Sequence, residues 1–212
     1  MREWLSAIVQ GSPDDAGPYG PGLPVLRALR RVAALPPFRG PLRRRLRDEV
    51  TVRPLDALDV DALLSFASEH LRFPTWFLER QLLQRWGTRG AAVGAVDAAG
   101  RLWGFAYLDQ YSEEDFGLEG WWIRALMVDP RARGLGFAGR VVKRLCALGR
   151  AQGLGSVFAD VRAENARSLR LFRRCGFQRA DAVWEARARA VLEAARPESR
   201  WLVLERRVDA FD

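Results

Sequence analysis

Between Met127 and Ala138 the chain reads Met-Val-Asp-Pro-Arg-Ala-Arg-Gly-Leu-Gly-Phe-Ala, a spacing suited to holding an anion. An apolar run, Ile123 to Val128, stops at Asp129-Pro130. Arg131-x-x-Gly134-x-Gly136 follows, and a helical pattern starts at once. A strand that hands over to a helix through glycines leaves the first helical N–H groups unpaired at the positive end of the helix dipole. Glycine also lets phosphate oxygens approach the backbone closely. The spacing is not that of a dinucleotide fingerprint, which needs a third glycine and a later acidic residue, nor of a Walker loop, which needs Gly-Lys-Ser/Thr. A Gly-x-Gly turn also closes ordinary strand–helix junctions, so the loop alone decides little.

The residues downstream add to it. Val157-Phe-Ala-Asp-Val161 reads as a buried strand, and Asn165-Ala-Arg-Ser168-Leu-Arg-Leu-Phe172-Arg-Arg-Cys-Gly176-Phe177 comes after it. Together these motifs resemble the GNAT superfamily of acyl-CoA-dependent N-acetyltransferases. There Arg/Gln-x-x-Gly-x-Gly/Ala cradles the CoA pyrophosphate, and Asn-x-x-(Ala/Ser)-x-x-Leu-(Tyr/Phe)-x-x-x-Gly-Phe follows the next strand. The resemblance covers residues 119–178 closely and 50–118 less so. It implies an α/β (α+β) fold with a mixed, mostly antiparallel central sheet flanked by helices. It also implies acetyl-CoA as acyl donor, no metal, and transfer to a primary amine by direct attack in a ternary complex.

Carried over residue by residue, the resemblance assigns the cofactor loop to Arg131, Arg133, Gly134, Leu135, Gly136, Phe137 and Ala138, mostly through backbone N–H groups. The backbone of Leu126, Met127 and Val128 would pair with the pantetheine arm and polarise the thioester carbonyl. Asn165 and Ser168 would contact the CoA arm, although Asn165 suits a helix N-cap equally well. Phe172 stands where many members carry a Tyr that protonates the leaving thiolate, and Phe donates no proton. Tyr107 or Tyr111 from a neighbouring strand is the substitute. Glu119, at the start of the central strand, is the candidate general base, with Glu113, Glu114 and Asp115 as alternatives. A solvated acidic loop is the plainer reading of all four.

Composition narrows the rest. Cys146 and Cys175 form no CxxC pair and His70 is the one histidine, so a Cys/His metal site is not expected, and His70 reads as structural. Both thiols fall on apolar helix faces, which fits a reducing cytoplasm. No apolar run reaches membrane-spanning length, and the N-terminus does not resemble a signal peptide. Of 34 basic residues only Lys143 is lysine, and residues 16–47 hold eight Arg and no acid, which equals the whole net charge of +8. The remainder is balanced, so basicity alone is poor support for nucleic acid.

Elements must position these residues. Residues 1–9 suit a short helix and 11–24 a linker. Val25 to Leu35 is amphipathic and should end at Pro36-Pro37, with Arg43 to Arg47 as a basic cluster beyond. A first strand at Thr51 to Leu55, a helix through Leu63 to Ala67 capped by Asp56 or Asp59, and a helix over Thr75 to Trp86 follow. A hairpin joins strands Ala91–Val96 and Leu102–Asp109 through Asp97-Ala-Ala-Gly100. Trp121 to Val128 is the central strand and Phe137 to Gln152 a helix. Strands are expected at Ala182 to Ala186 and Trp201 to Arg207, with a helix between them.

The organisation expected is a basic N-terminal extension, 1–48, and an acetyltransferase-like domain, 49–212. The acceptor would be a small-molecule amine or a protein N-terminus or lysine. Docking of the extension on its own domain or on a second subunit is preferred to membrane or nucleic-acid binding. Two other functions stay in view: acetylation of a protein or aminoacyl-RNA amine through the Arg-rich arm, and a non-catalytic CoA-binding scaffold.

Overall fold

The computed structural model describes residues 36–70, 90–111, 120–195 and 200–208. The segments expected at 1–9, 11–24 and Val25–Leu35, the helix at Thr75–Trp86 and the acidic loop with Glu113, Glu114, Asp115 and Glu119 lie outside the described residues.

The first described element is a helix, α1 (Pro36–Glu49). The sequence places Pro36-Pro37 after a helix end, whereas the structure places both in the first described turn of one. The fixed φ of proline is already helical. α1 also runs across the boundary expected at residue 48. Its Leu46, and Val50 just beyond it, are each 3% exposed and belong to the core.

β1 (Thr51–Pro54) leads into a 3-10 turn, Ala57–Asp59, and then α2 (Val60–His70). Asp56 and Asp59 close this entry as a reciprocal capping box, and Arg53 holds Asp59 through two bonds of 2.7 Å. β2 (Gly90–Val96) and β3 (Leu102–Tyr111) form a hairpin. Its turn is tied by Asp97, whose Oδ1 accepts from the N–H groups of Ala99 and Arg101, while its Oδ2 accepts from Trp103 Nε1 at 2.8 Å. β4 (Gly120–Val128), a second 3-10 turn (Pro130–Ala132) and α3 (Phe137–Ala151) follow. The remaining elements are β5 (Ser156–Arg162), α4 (Ala166–Arg174), β6 (Gln178–Arg179), α5 (Ala182–Ala195) and β7 (Trp201–Arg207).

The strand expected at Ala182 to Ala186 is therefore the first part of α5. Asp181 caps it, accepting from Trp184 N–H at 2.9 Å. Ala, Glu, Arg and Leu dominate Ala182–Ala195, and these side chains lose little freedom in a helix.

The strands make one sheet in the order β1-β2-β3-β4-β5-β7-β6. Every pairing is antiparallel except β4 with β5, which α3 connects as a crossover. Helices cover both faces. Leu46 of α1, Val141, Val142 and Leu145 of α3 and Phe172 of α4 share one core. On the other face, Leu63 and Phe66 of α2 pack on β2 and β3, and Ala188 of α5 packs on Trp122, Phe158 and Val203. β3 is buried along both faces, which explains its unbroken apolar run. Trp121 and Trp122 face opposite cores, as strand alternation requires.

Candidate active site

β4 is where the sheet opens. It pairs with β5 only at Trp122–Phe158 and Ile123–Ala159, so the two strands part beyond Ile123. Arg124 spans the fork and meets Asp160 at 3.1 Å. On its other edge β4 carries a bulge. Phe105 faces Met127 but Tyr107 faces Arg124, and Ala125, at φ 52°, takes up the extra residue. Asp129 N–H still donates to Trp103 O on β3 (2.9 Å). Strand alternation then turns Val128 N–H to the opposite side, toward the fork, where no strand receives it.

A groove of about 780 Å³ follows this opening, a volume typical of small-ligand sites. Its walls include Leu126, Met127 and Val128 of β4, Arg133, Gly134 and Gly136 of the loop, Phe137 and Ala138 of α3, and Asn165 and Ser168 at α4. Thus ten of the residues singled out in the sequence meet at one surface. Gly134 and Gly136 have φ of 83° and 84°, the left-handed region that excludes most side chains. A Cβ on Gly136 would enter open space, so the conformation and the approach to the backbone, not local crowding, call for glycine. Gly136 is the N-cap of α3 and offers no side-chain acceptor, so the first N–H groups of α3 remain available.

Three residues expected to hold the cofactor are not on this wall. Arg131 turns back to Asp129, whose carboxylate it meets at 3.0 and 3.2 Å from Nε. Leu135 packs against the core. Phe172 is buried edge-on to Phe177, with ring centroids 5.0 Å apart. Tyr111 is also buried, stacked on Trp122 and under the Arg124 guanidinium, and Tyr107 lies in the core beneath α2. Neither tyrosine lines the groove. Asn165 caps α4, accepting from Ser168 N–H at 3.0 Å, while also lining the groove.

Charge on the wall is concentrated. Arg167, Arg170 and Arg174 recur at helical spacing on α4 and face the groove with Arg133. Other arginines near this end are engaged elsewhere: Arg162 lies over Trp201, and Arg179 pairs with Glu185.

The far wall holds Glu69, which the sequence did not single out, and His70, which it read as structural, both at the end of α2. His70 Nε2 is 3.4 Å from Asp129 Oδ2 and 3.5 Å from Glu69 Oε1, with its ring against Phe66 at 4.5 Å. The three residues bring their ligating atoms within 4.8 Å. Arg131 already bonds Asp129 and lies 3.8 Å from Glu69, so a cation of the chain itself meets this negative charge. Burial pushes the Asp129 carboxyl up. The nearby His70 and the hydrogen bonds from Arg131 outweigh it and hold the acid well below the usual carboxylate range. A lone histidine at a helix end carries no sequence signal for this placement; the packing of α2 on β3 decides it.

Residues 59–177 match the family model described as Acetyltransferase (GNAT) family. No curated protein matches the chain in sequence. Among solved structures, the ribosomal-protein-S18-alanine N-acetyltransferase from Escherichia coli is similar at a TM-score of 0.56 and 16% identity, over 77% of this chain and 96% of that one. The spermidine N-acetyltransferase from Vibrio cholerae, in complex with CoA and spermine, gives 0.53 and 15%, over 76% and 96%. Arabidopsis thaliana NAA60, in complex with a bisubstrate analogue, gives 0.54 and 16%, over 77% and 99%. At these identities the likeness is one of fold.

Proposed function

The chain belongs to the GNAT acetyltransferase family, and on that premise we propose that it transfers an acetyl group from acetyl-CoA to a primary amine, by direct attack in a ternary complex. One observation carries the reading: a single groove joins an uncapped, arginine-flanked helix N-terminus to the unpaired edge of β4. The first suits a pyrophosphate, the second an extended amide-bearing arm and a carbonyl.

The residues divide the work. The α3 N-terminus and Arg133 hold the phosphate charge, in the frame Arg133-x-x-Gly136-x-Ala138, two residues beyond the frame that starts at Arg131. Arg167, Arg170 and Arg174 add positive potential on the α4 side. The open edge of β4 presents N–H groups to the acyl oxygen, where negative charge develops as the amine adds. A bound acyl-CoA supplies an activated acyl carbon and a thiolate leaving group with a thiol-like pKa. His70 is the proton acceptor for the ammonium. Its Nε2 lies 3.4 Å from Asp129, which positions the ring at the groove. Two of the structural neighbours are named for nitrogen acceptors, a ribosomal-protein alanine and spermidine, which supports an amine here.

The test is calorimetric titration with acetyl-CoA, comparing wild type with Gly136→Asp. Asp tolerates the left-handed conformation better than most residues, so the fold should survive. Its carboxylate would face the pyrophosphate, a like-charge contact costing several kcal/mol, so affinity should fall by about 100-fold or more. A folded wild type that takes up no acetyl-CoA would sink the reading.

A further inference from the structure

α1 lies outside the segment matched by the family model, yet it reaches the phosphate loop. It packs against the 3-10 turn Pro130–Ala132. Its last turn is anchored by Leu46, 3% exposed in the core. Arg43 stands one helical turn before Leu46 and so on nearly the same face. Its guanidinium lies at the loop: a Cβ built on Gly134 would meet Arg43 Nη2 at 3.2 Å and Nη1 at 3.9 Å. Arg43 is half-buried, whereas Arg44 and Arg47 on the same helix are exposed.

No carboxylate among the described residues pairs with Arg43. Its surroundings are themselves electropositive, with Arg133 next in the chain to Gly134 and the α3 N-terminus just beyond. A guanidinium held half out of water beside other positive charge is at a disadvantage until an anion arrives. Its planar fork matches two phosphate oxygens.

We propose that Arg43 binds the pyrophosphate of the acyl donor, so that α1 completes the phosphate site from outside the family's own segment. The proposal rests on the cofactor reading above. It also gives part of the basic N-terminal stretch a role at the site.

Calorimetry with CoA and with 3′-dephospho-CoA tests it on the full chain, using Arg43→Ala, Arg43→Gln and, as a control, Arg44→Ala, each checked for an unchanged melting transition. Both Arg43 variants should bind about tenfold more weakly than wild type, by the loss of a charge-assisted contact. The factor should be the same for the two ligands, and Arg44→Ala should bind like wild type. Several results would overturn the proposal while leaving the cofactor reading intact: equal affinity for the Arg43 variants and wild type, an equal loss in Arg44→Ala, or a loss confined to the ligand bearing the 3′-phosphate. A wild type that binds neither ligand removes the cofactor reading and this proposal together.

Discussion

Asp129 is the residue on which loop and groove both depend. It accepts from Arg131 N–H at 2.8 Å to cap the 3-10 turn, binds the Arg131 side chain and faces His70, all while 1% exposed. Its folded-state pKa is lowered, so its contribution to stability is present above the unfolded value near pH 4 and is lost as pH falls toward the folded value. Asp129→Asn should cost about 3–5 kcal/mol at pH 7, because it removes the buried carboxylate that Arg131 bonds and leaves it only the Glu69 carboxylate at 3.8 Å among the described residues. The gap to wild type should narrow below pH 4. Urea unfolding at pH 7 and pH 3 reads both, and a gap of equal size at the two values would contradict the sign. His70 makes a separate kinetic prediction. His70→Ala should lower kcat by about 100-fold, the usual scale of acid–base assistance, with the acetyl-CoA KM near wild type. A rise in that KM alone would make His70 a binding residue instead.

Among the elements, β4 is built to be half a strand. Trp122 and Ile123 are paired on both sides, while Met127 and Val128 are paired on one, and the bulge at Ala125 separates the two halves. A non-glycine residue at positive φ costs on the order of 1–3 kcal/mol and persists where the surrounding structure imposes it. Here the β3 ladder on one side and the Arg124–Asp160 bridge on the other do so. Hydrogen exchange gives the test. Amides in 126–128 that face the fork should exchange quickly in the free protein and slow at least tenfold with CoA, while Trp122 and Ile123 stay protected throughout. Unchanged exchange at 126–128 with CoA bound would mean that the cofactor does not pair with this edge.

At the scale of the molecule, α1, the described end of the N-terminal stretch, shares a core with the sheet. Leu46 sits with Val141, Val142 and Leu145 of α3 on one face of the sheet, so α1 supports the helix whose N-terminus opens into the groove. Leu46→Ala should therefore destabilise the whole domain by about 2–5 kcal/mol, the range for a buried leucine, in a single cooperative transition. A separate early transition would show that α1 melts independently. The arrangement also sorts the charge. The loop before α3 and helix α4 bring arginines to one side of the groove, and α2 brings Glu69 and His70 to the other. Among the described residues no helix is long and apolar enough to cross a membrane.

Local signals were enough for much of this. The Gly134-x-Gly136 turn, the apolar β4 run, the Asn165 cap and the amphipathic α3 are each written within a few residues, because dihedral preference, capping and periodicity act over one or two turns. They yielded the family and most of the groove wall. Other features needed the folded chain. Arg131 and Arg133 are alike in sequence, and only the buried Asp129 carboxylate draws one away from the groove. Phe172 and Tyr111 became core, and His70 became part of the site, through contacts across the sheet. Pro36-Pro37 read as a helix end although both lie within α1, and the β-branched and aromatic residues Val183 and Trp184 masked a capped helix. Arg43 lies about ninety residues from the loop it touches, and no periodicity reports a contact of that range. Sequence determined the backbone that can bind an anion; tertiary packing decided which side chains surround it, since that depends on non-local burial and charge pairing.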